Sequence, residues 1–201
     1  MLKVISLIIF GYLFGSIPWA LVIGKVFYHK DIRNEGSGNL GGTNAGRVLG
    51  KKAGVSVTVL DALKAFFTVM ICQYIAPEAS ILAGLACCVG HCFPIFANFK
   101  GGKAVATAMG YLLAISVFVT HQFFWQFVFV VLSFFIILYL CKMVSVSSIL
   151  ALLIATIVTF MVQDDIKLSL SVLVLWLFVT YRHKQNIIRV IHHEEKKITW
   201  M

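Results

Sequence analysis

Residues 123–141 read FFWQFVFVVLSFFIILYLC, nineteen consecutive positions without a charged side chain. At about 1.5 Å of rise per residue such a run covers about 28 Å as a helix, close to the ~30 Å hydrocarbon core of a bilayer. In hydrocarbon every backbone N–H and C=O needs an internal partner, which leaves helices or closed barrels. The run is continuously apolar and lacks the period-two alternation of a barrel strand, so it reads as a membrane helix.

Six more apolar runs lie near residues 4–24, 54–76, 79–96, 104–120, 146–162 and 167–181. The 201-residue chain is 60% hydrophobic with a mean hydropathy of +0.94, well above the roughly half-apolar usage of soluble domains. We therefore expect an all-α, polytopic integral membrane bundle of about seven transmembrane helices, forming one domain over residues 1–201. The first run is too long for a typical signal-peptide core, contains Pro18 and Trp19, and shows no clear small-residue cleavage site, so it is read as a span.

Orientation follows from the cations. Fourteen of the seventeen Lys and Arg residues fall in four polar segments: Lys25, Lys30, Arg33, Arg47, Lys51 and Lys52; Lys100 and Lys103; Lys142; and Arg182, Lys184, Arg189, Lys196 and Lys197. With seven spans these segments share one face, and only Lys3 and Lys167 lie on the other. Short loops rich in Lys and Arg stay cytoplasmic, which places the N-terminus outside and the C-terminus inside. The net charge of +9 then serves topology and attraction to anionic membrane lipid, and it argues for no nucleic-acid partner. Five cysteines in or beside apolar runs give no disulfide framework. Cys88, His91 and Cys92 have a ligand-like spacing but lack the further Cys or His pair of a four-ligand site, so no metal is expected. Asp61 and Lys64, one helical turn apart inside a span, are expected to face protein and pair, either to neutralise one another or to support a polar site.

Three polar clusters carry the chemistry. The long segment 25–53 contains Gly36-Ser37-Gly38-Asn39-Leu40-Gly41, which satisfies G-x-G-x-x-G without the strand that a dinucleotide site requires. Its glycines can bring several N–H groups to one anion, and Arg33 and Arg47 flank it with forked donors suited to phosphate oxygens. The second cluster ends in Lys100-Gly101-Gly102-Lys103; it is not a P-loop, yet it sets a glycine turn between two cations at a helix start, where an anion is favoured. In the third, Arg182-His183-Lys184-Gln185-Asn186, His183 and Asn186 are three residues apart and would share a helix face. Phosphate-suited segments beside acyl chains point to acyl transfer at the membrane interface. The rival reading is a small transporter of a phosphorylated solute, against which the ionisable residues cluster at one face and not at midplane.

These residues resemble a known family. Gly15-Ser16-Ile17-Pro18 with Lys25, Asp31-Ile32-Arg33 with Gly36-Ser37-Gly38-Asn39 and Thr43-Asn44, Gly90-His91 with Phe93-Pro94 and Phe99-Lys100-Gly101-Gly102-Lys103, and Arg182-His183 with Asn186-Ile187 are similar to the motifs of the bacterial acyl-phosphate:glycerol-3-phosphate acyltransferases, the PlsY family. The likeness runs over essentially the whole chain. It implies transfer of a fatty acyl group from acyl phosphate, not acyl-CoA, to the 1-hydroxyl of glycerol 3-phosphate, giving lysophosphatidic acid and phosphate at the start of phospholipid synthesis.

The resemblance implies a multi-pass protein of the bacterial cytoplasmic membrane with its active site on the cytoplasmic face, coupled in function to an enzyme that makes acyl phosphate. An acyl phosphate is already an activated anhydride, so no cofactor is implied. Carried over by position, Ser37, His183 and Asn186 are the catalytic candidates. Arg33, Gly38, Asn39, Thr43, Asn44, Arg47, Gly101, Gly102, Lys103, Lys142 and Ser145 are the substrate-binding candidates. Direct attack by the glycerol hydroxyl is expected in preference to a covalent acyl-Ser37. The chain departs from the family pattern at Gly42, where Ala is usual, and at Ala104 and at His193 before Glu195, where Gly is usual.

Overall fold

The computed structural model describes residues 1–198, and among them every regular element is helical. In chain order these are α1 (Leu2–Gly15), α2 (Trp19–Tyr28), α3 (Gly42–Leu49), α4 (Lys51–Ile75), α5 (Ser80–Cys92), α6 (Val105–Phe118), α7 (Phe129–Cys141), α8 (Val144–Val162), α9 (Ile166–Arg182) and α10 (Lys184–Ile191). A π-helical turn, Phe124–Val128, leads into α7. The expected all-α membrane architecture is what forms, and each of the seven apolar runs becomes helix.

Among the described residues, not all seven apolar helices reach the length of a straight full crossing. Five helical stretches are long and apolar enough to span: Leu2–Tyr28, Lys51–Ile75, Pro77–Ala97, Phe124–Cys141 and Val144–Val162. A sixth is reached if α9 and α10, which meet at 60°, are taken as one broken span. The remaining apolar helix, α6, has 14 residues and a length of about 21 Å, short of the ~30 Å core. Ala104, with a left-handed backbone at φ 60°, sets the start of the helix at Val105.

Several hydroxyls inside the spans are satisfied without leaving their helices. Ser133 donates to Phe129 O at 2.8 Å, Thr156 to Leu152 O at 2.9 Å and Thr159 to Ala155 O at 2.7 Å, the four-residue back-bond available to Ser and Thr. Large apolar side chains meanwhile face outward, Leu140 and Met161 being about three-quarters exposed, which in a lipid solvent is the favourable arrangement.

Contacts group the chain into two compact units, Met1–Phe118 and a second beginning at Val119. In the first, α1 lies on α5 and α4 on α6, with small residues at the crossings. A methyl group on Gly11 would run into the Ala83 carbonyl, one on Gly15 into the Cys87 carbonyl, and one on Gly110 into the Ala62 carbonyl. Such close approach is how membrane helices gain packing energy where no hydrophobic force distinguishes neighbour from lipid. In the second unit α8 packs between α7 and α9, and α10 folds back on both α8 and α9.

Candidate active site

In the first unit the polar loops are fastened to α4. Helix α3 meets it through glycines, since a Cβ on Gly54 would fall against the Gly46 backbone at 2.6 to 2.9 Å. A Cβ on Gly42 would collide with the Thr58 hydroxyl, which is held in place by its hydrogen bond to Gly54 O at 2.8 Å. This accounts for glycine at position 42 where the resembling family usually has alanine: here Thr58 fills the methyl's volume.

The loop before α3 is organised by two side chains. Asp31 accepts from Arg33 Nε at 2.9 Å, from Arg33 Nη2 at 2.6 Å and from Arg33 N at 3.1 Å, with Lys25 Nζ 3.6 Å away. Arg33's hydrogen bonds, with its charge and that of Lys25, hold the Asp31 carboxyl well below the usual carboxylate range despite some desolvation. Two of the three Arg33 guanidinium nitrogens are thus engaged inside the protein. Asn44, almost fully buried, accepts from Ser37 N at 2.9 Å and donates to Glu35 O at 3.1 Å and Ile32 O at 3.4 Å. Its amide thus ties down the turn that carries Ser37. Gly36 and Gly38 have φ of 61° and 68°, so this turn needs their missing side chains.

Ser37 itself is exposed, as are Thr43 and Arg47, which lie four residues apart on one face of α3. Asn39 is partly buried with Oδ1 enclosed. Arg33, Asn34 and Gly38 of this loop, together with Asn98 and Lys100, line a polar depression of about 250 Å³. Two clusters far apart in sequence therefore meet in one unit.

The Gly101-Gly102 turn rests on His91. Gly102 N donates to His91 O at 3.0 Å, and a side chain at either glycine would strike His91: its carbonyl from position 101, its imidazole Nε2 from position 102. Lys103 follows, half-buried. Beneath the turn, His91 Nδ1 lies 2.8 Å from Lys64 Nζ and 3.4 Å from Asp61 Oδ1, and Lys64 Nζ lies 2.9 Å from the same oxygen. The expected Asp61–Lys64 pair is present and buried. Sequence reading did not join His91 to it, because the link spans 27 residues and two helices; a histidine one residue from the end of an apolar helix was the available signal.

In the second unit His183 sits at the junction of α9 and α10, 3% exposed, with Nδ1 2.8 Å from Val179 O. A carbonyl can only accept, so Nδ1 carries a proton, and in the neutral ring Nε2 is the acceptor. Asn186 and Ser145 converge on Glu195: Asn186 Nδ2 and Ser145 Oγ each donate to Oε1 at 2.6 Å, and Arg189 Nε donates to Oε2 at 2.9 Å. Burial alone would raise the Glu195 carboxyl, but these three donors outweigh it and hold it below the ordinary glutamate value. Glu195 is thus a hub that the spacing of residues did not reveal. Lys142 ends α7 in a left-handed conformation, its Nζ 4.1 Å over the Tyr139 ring and its carbonyl accepting from Ile198 N at 2.8 Å. An apolar cleft of about 170 Å³ runs along Val146, Ile149, Leu150, Ile187, Val190 and Ile191, with Ser145 and Asn186 also in its wall.

The two positions where the resembling family usually has glycine, Ala104 and His193, both have left-handed backbones, φ 60° and 59°. A side chain there costs about 1 to 2 kcal/mol. Ala104→Gly and His193→Gly should therefore each raise stability, by about 1 kcal/mol, measured as the unfolding midpoint in detergent. A lower midpoint in both would show that the backbone is not held there.

A glycerol-3-phosphate acyltransferase family model matches residues 5–193. The chain is 44% identical over 195 residues to the glycerol-3-phosphate acyltransferase of Geobacillus kaustophilus strain HTA426, covering 96% of this chain and 95% of that protein. It is 40% identical over 210 residues to that of Staphylococcus haemolyticus strain JCSC1435, over the full length of both. Among solved structures it is similar to PlsY (YgiH), an integral membrane glycerol 3-phosphate acyltransferase, in its glycerol 3-phosphate form, with a TM-score of 0.90 and 36% identity over 98% of this chain and 96% of that one. The lysophosphatidic acid form of PlsY matches with a TM-score of 0.87 and 35% identity, over 98% and 95% of the two chains.

Proposed function

The chain belongs to the glycerol-3-phosphate acyltransferase family, and from that membership we propose that it takes its acyl group from an acyl phosphate and esterifies the 1-hydroxyl of glycerol 3-phosphate. The products are lysophosphatidic acid and inorganic phosphate. The observation that carries this reading is the meeting, in one unit, of the Arg33–Gly38 loop and the Asn98–Lys100 segment around a polar depression. Cations and glycine backbone there suit a small phosphorylated polyol better than a bulky nucleotide.

Each cluster has a role in the transfer. Arg47, Lys103 and the N–H groups of the Gly101-Gly102 turn hold the glycerol phosphate, and Arg33 with Lys100 supplies the surrounding positive field. Gly38, Asn39 and Thr43 contribute polar contacts beside Ser37, whose hydroxyl orients the reacting groups. The apolar cleft beside Ser145 and Asn186 lodges the methylenes of an acyl tail, and Lys142 draws in the donor's phosphate. The glycerol oxygen attacks the acyl carbonyl, the new ester C–O bond forms, and the anhydride C–O bond breaks with phosphate as leaving group. His183 Nε2 accepts the hydroxyl proton. Because the donor is pre-activated, the remaining work is positioning and charge placement, without a covalent enzyme intermediate.

The loops that do this face the cytoplasm, residues 1–201 act as a single acyltransferase domain in the bacterial cytoplasmic membrane, and an enzyme that makes acyl phosphate supplies the donor. The charge distribution supports that orientation. The test is turnover by purified protein with radiolabelled glycerol 3-phosphate and either palmitoyl phosphate or palmitoyl-CoA. Lysophosphatidic acid should form only with the former, with one phosphate released per ester. Turnover on the thioester alone would overturn the donor assignment, and a trapped acyl-enzyme would overturn direct attack.

A further inference from the structure

Charges are rare inside membrane helices because each costs about 2.5 to 3.5 kcal/mol to insert at midspan, so a buried ionic cluster that touches a substrate loop calls for a reason. Asp61 and Lys64 are each 1% exposed and His91 is 6% exposed. Lys64 Nζ forms an ion pair with Asp61 Oδ1 at 2.9 Å, donates to the Ile17 carbonyl at 3.3 Å, and stands 2.8 Å from His91 Nδ1. An ammonium has only donors, so Nδ1 accepts and the imidazole proton is on Nε2. That edge of the ring is the one against Gly102, where even a methyl group would overlap Nε2. His91 O meanwhile accepts the Gly102 N–H at 3.0 Å and blocks any side chain on Gly101.

We infer that Asp61, Lys64 and His91 form a buried positioning triad, in which the ion pair fixes the His91 ring and the ring and carbonyl of His91 set the Gly101-Gly102-Lys103 turn for glycerol 3-phosphate. None of the three touches the reacting atoms. The inference rests on the reading that this turn holds the glycerol phosphate, and it adds what holds the turn. It also explains the two glycines: a side chain at either would push the loop off its support.

Asp61→Leu combined with Lys64→Met removes both charges together, which avoids stranding one of them in the interior. The expected result is a KM for glycerol 3-phosphate raised about tenfold or more, as for displaced binding groups, with the KM for the acyl donor and the unfolding midpoint little changed. An unchanged glycerol 3-phosphate KM, or equal rises in both KM values, would overturn the triad. A second measurement decides the matter if that variant does not fold: a cycle of His91→Ala, Gly102→Ala and the pair, read by the same KM. Contact between ring and turn makes the double variant no worse than the worse single one, whereas independent, multiplying losses overturn the inference. Lys103→Ala separates the two readings. If it raises the glycerol 3-phosphate KM while the triad variants behave as wild type, only the triad falls; if it has no effect, the loop's assigned role falls and takes the triad with it.

Discussion

Replacing His183 by alanine is expected to lower kcat about 100-fold or more, the usual scale for a general base, while the KM for glycerol 3-phosphate changes by a factor of about three at most. The expectation comes from the tautomer. Val179 O, 2.8 Å from Nδ1, can only accept, so the neutral ring presents Nε2 as its acceptor. Burial to 3% exposure at the α9–α10 junction restricts the ring, so it enters the reaction already oriented. His183→Gln, which offers a carbonyl acceptor but no base of comparable strength, should stay close to the alanine variant in kcat. If glutamine restored most of the rate, His183 would be a hydrogen-bonding positioner and the leaving phosphate would take the proton.

The second large effect is structural. Glu195→Ala should cost about 3 kcal/mol and strip activity with it, because Ser145, Asn186 and Arg189 all lose their acceptor together. Asn186 and Ser145 would then be free to turn away from the positions the acyltransfer reading gives them. The pH dependence has a definite sign. The Glu195 carboxyl is held below its ordinary value in the fold, so its stabilisation is complete above the unfolded glutamate pKa of about 4.3 and is lost as pH falls through the lower folded value. Unfolding midpoints measured from pH 7 down to pH 3 should fall for wild type and fall less for Glu195→Gln. Parallel curves would mean that Glu195 does not carry the acid sensitivity.

His193, two residues before Glu195, shows how a departure from a family pattern can mislead. A histidine stands in place of the usual glycine, yet the backbone is left-handed there all the same, and Glu195 accepts from all three donors. The hub's combined hydrogen bonds exceed the local strain of about 1 to 2 kcal/mol. Asn44 has a tertiary role that residue spacing did not reveal. Both ends of its amide hold the turn that carries Ser37, a link between positions seven and nine residues away.

Hydropathy and charge are summed along the chain, and lipid imposes backbone pairing on every apolar run, so the helical membrane class, the position of each apolar helix and the three polar clusters could be read from residue order alone. The left-handed backbone at Ala104, just before α6, could not, because composition carries no record of backbone sign. Nor could the partners of the polar groups: Lys64 with His91 across 27 residues, Ser145 with Glu195 across 50. Those bonds form only once separate helices are packed side by side, so tertiary structure decided which polar groups are joined.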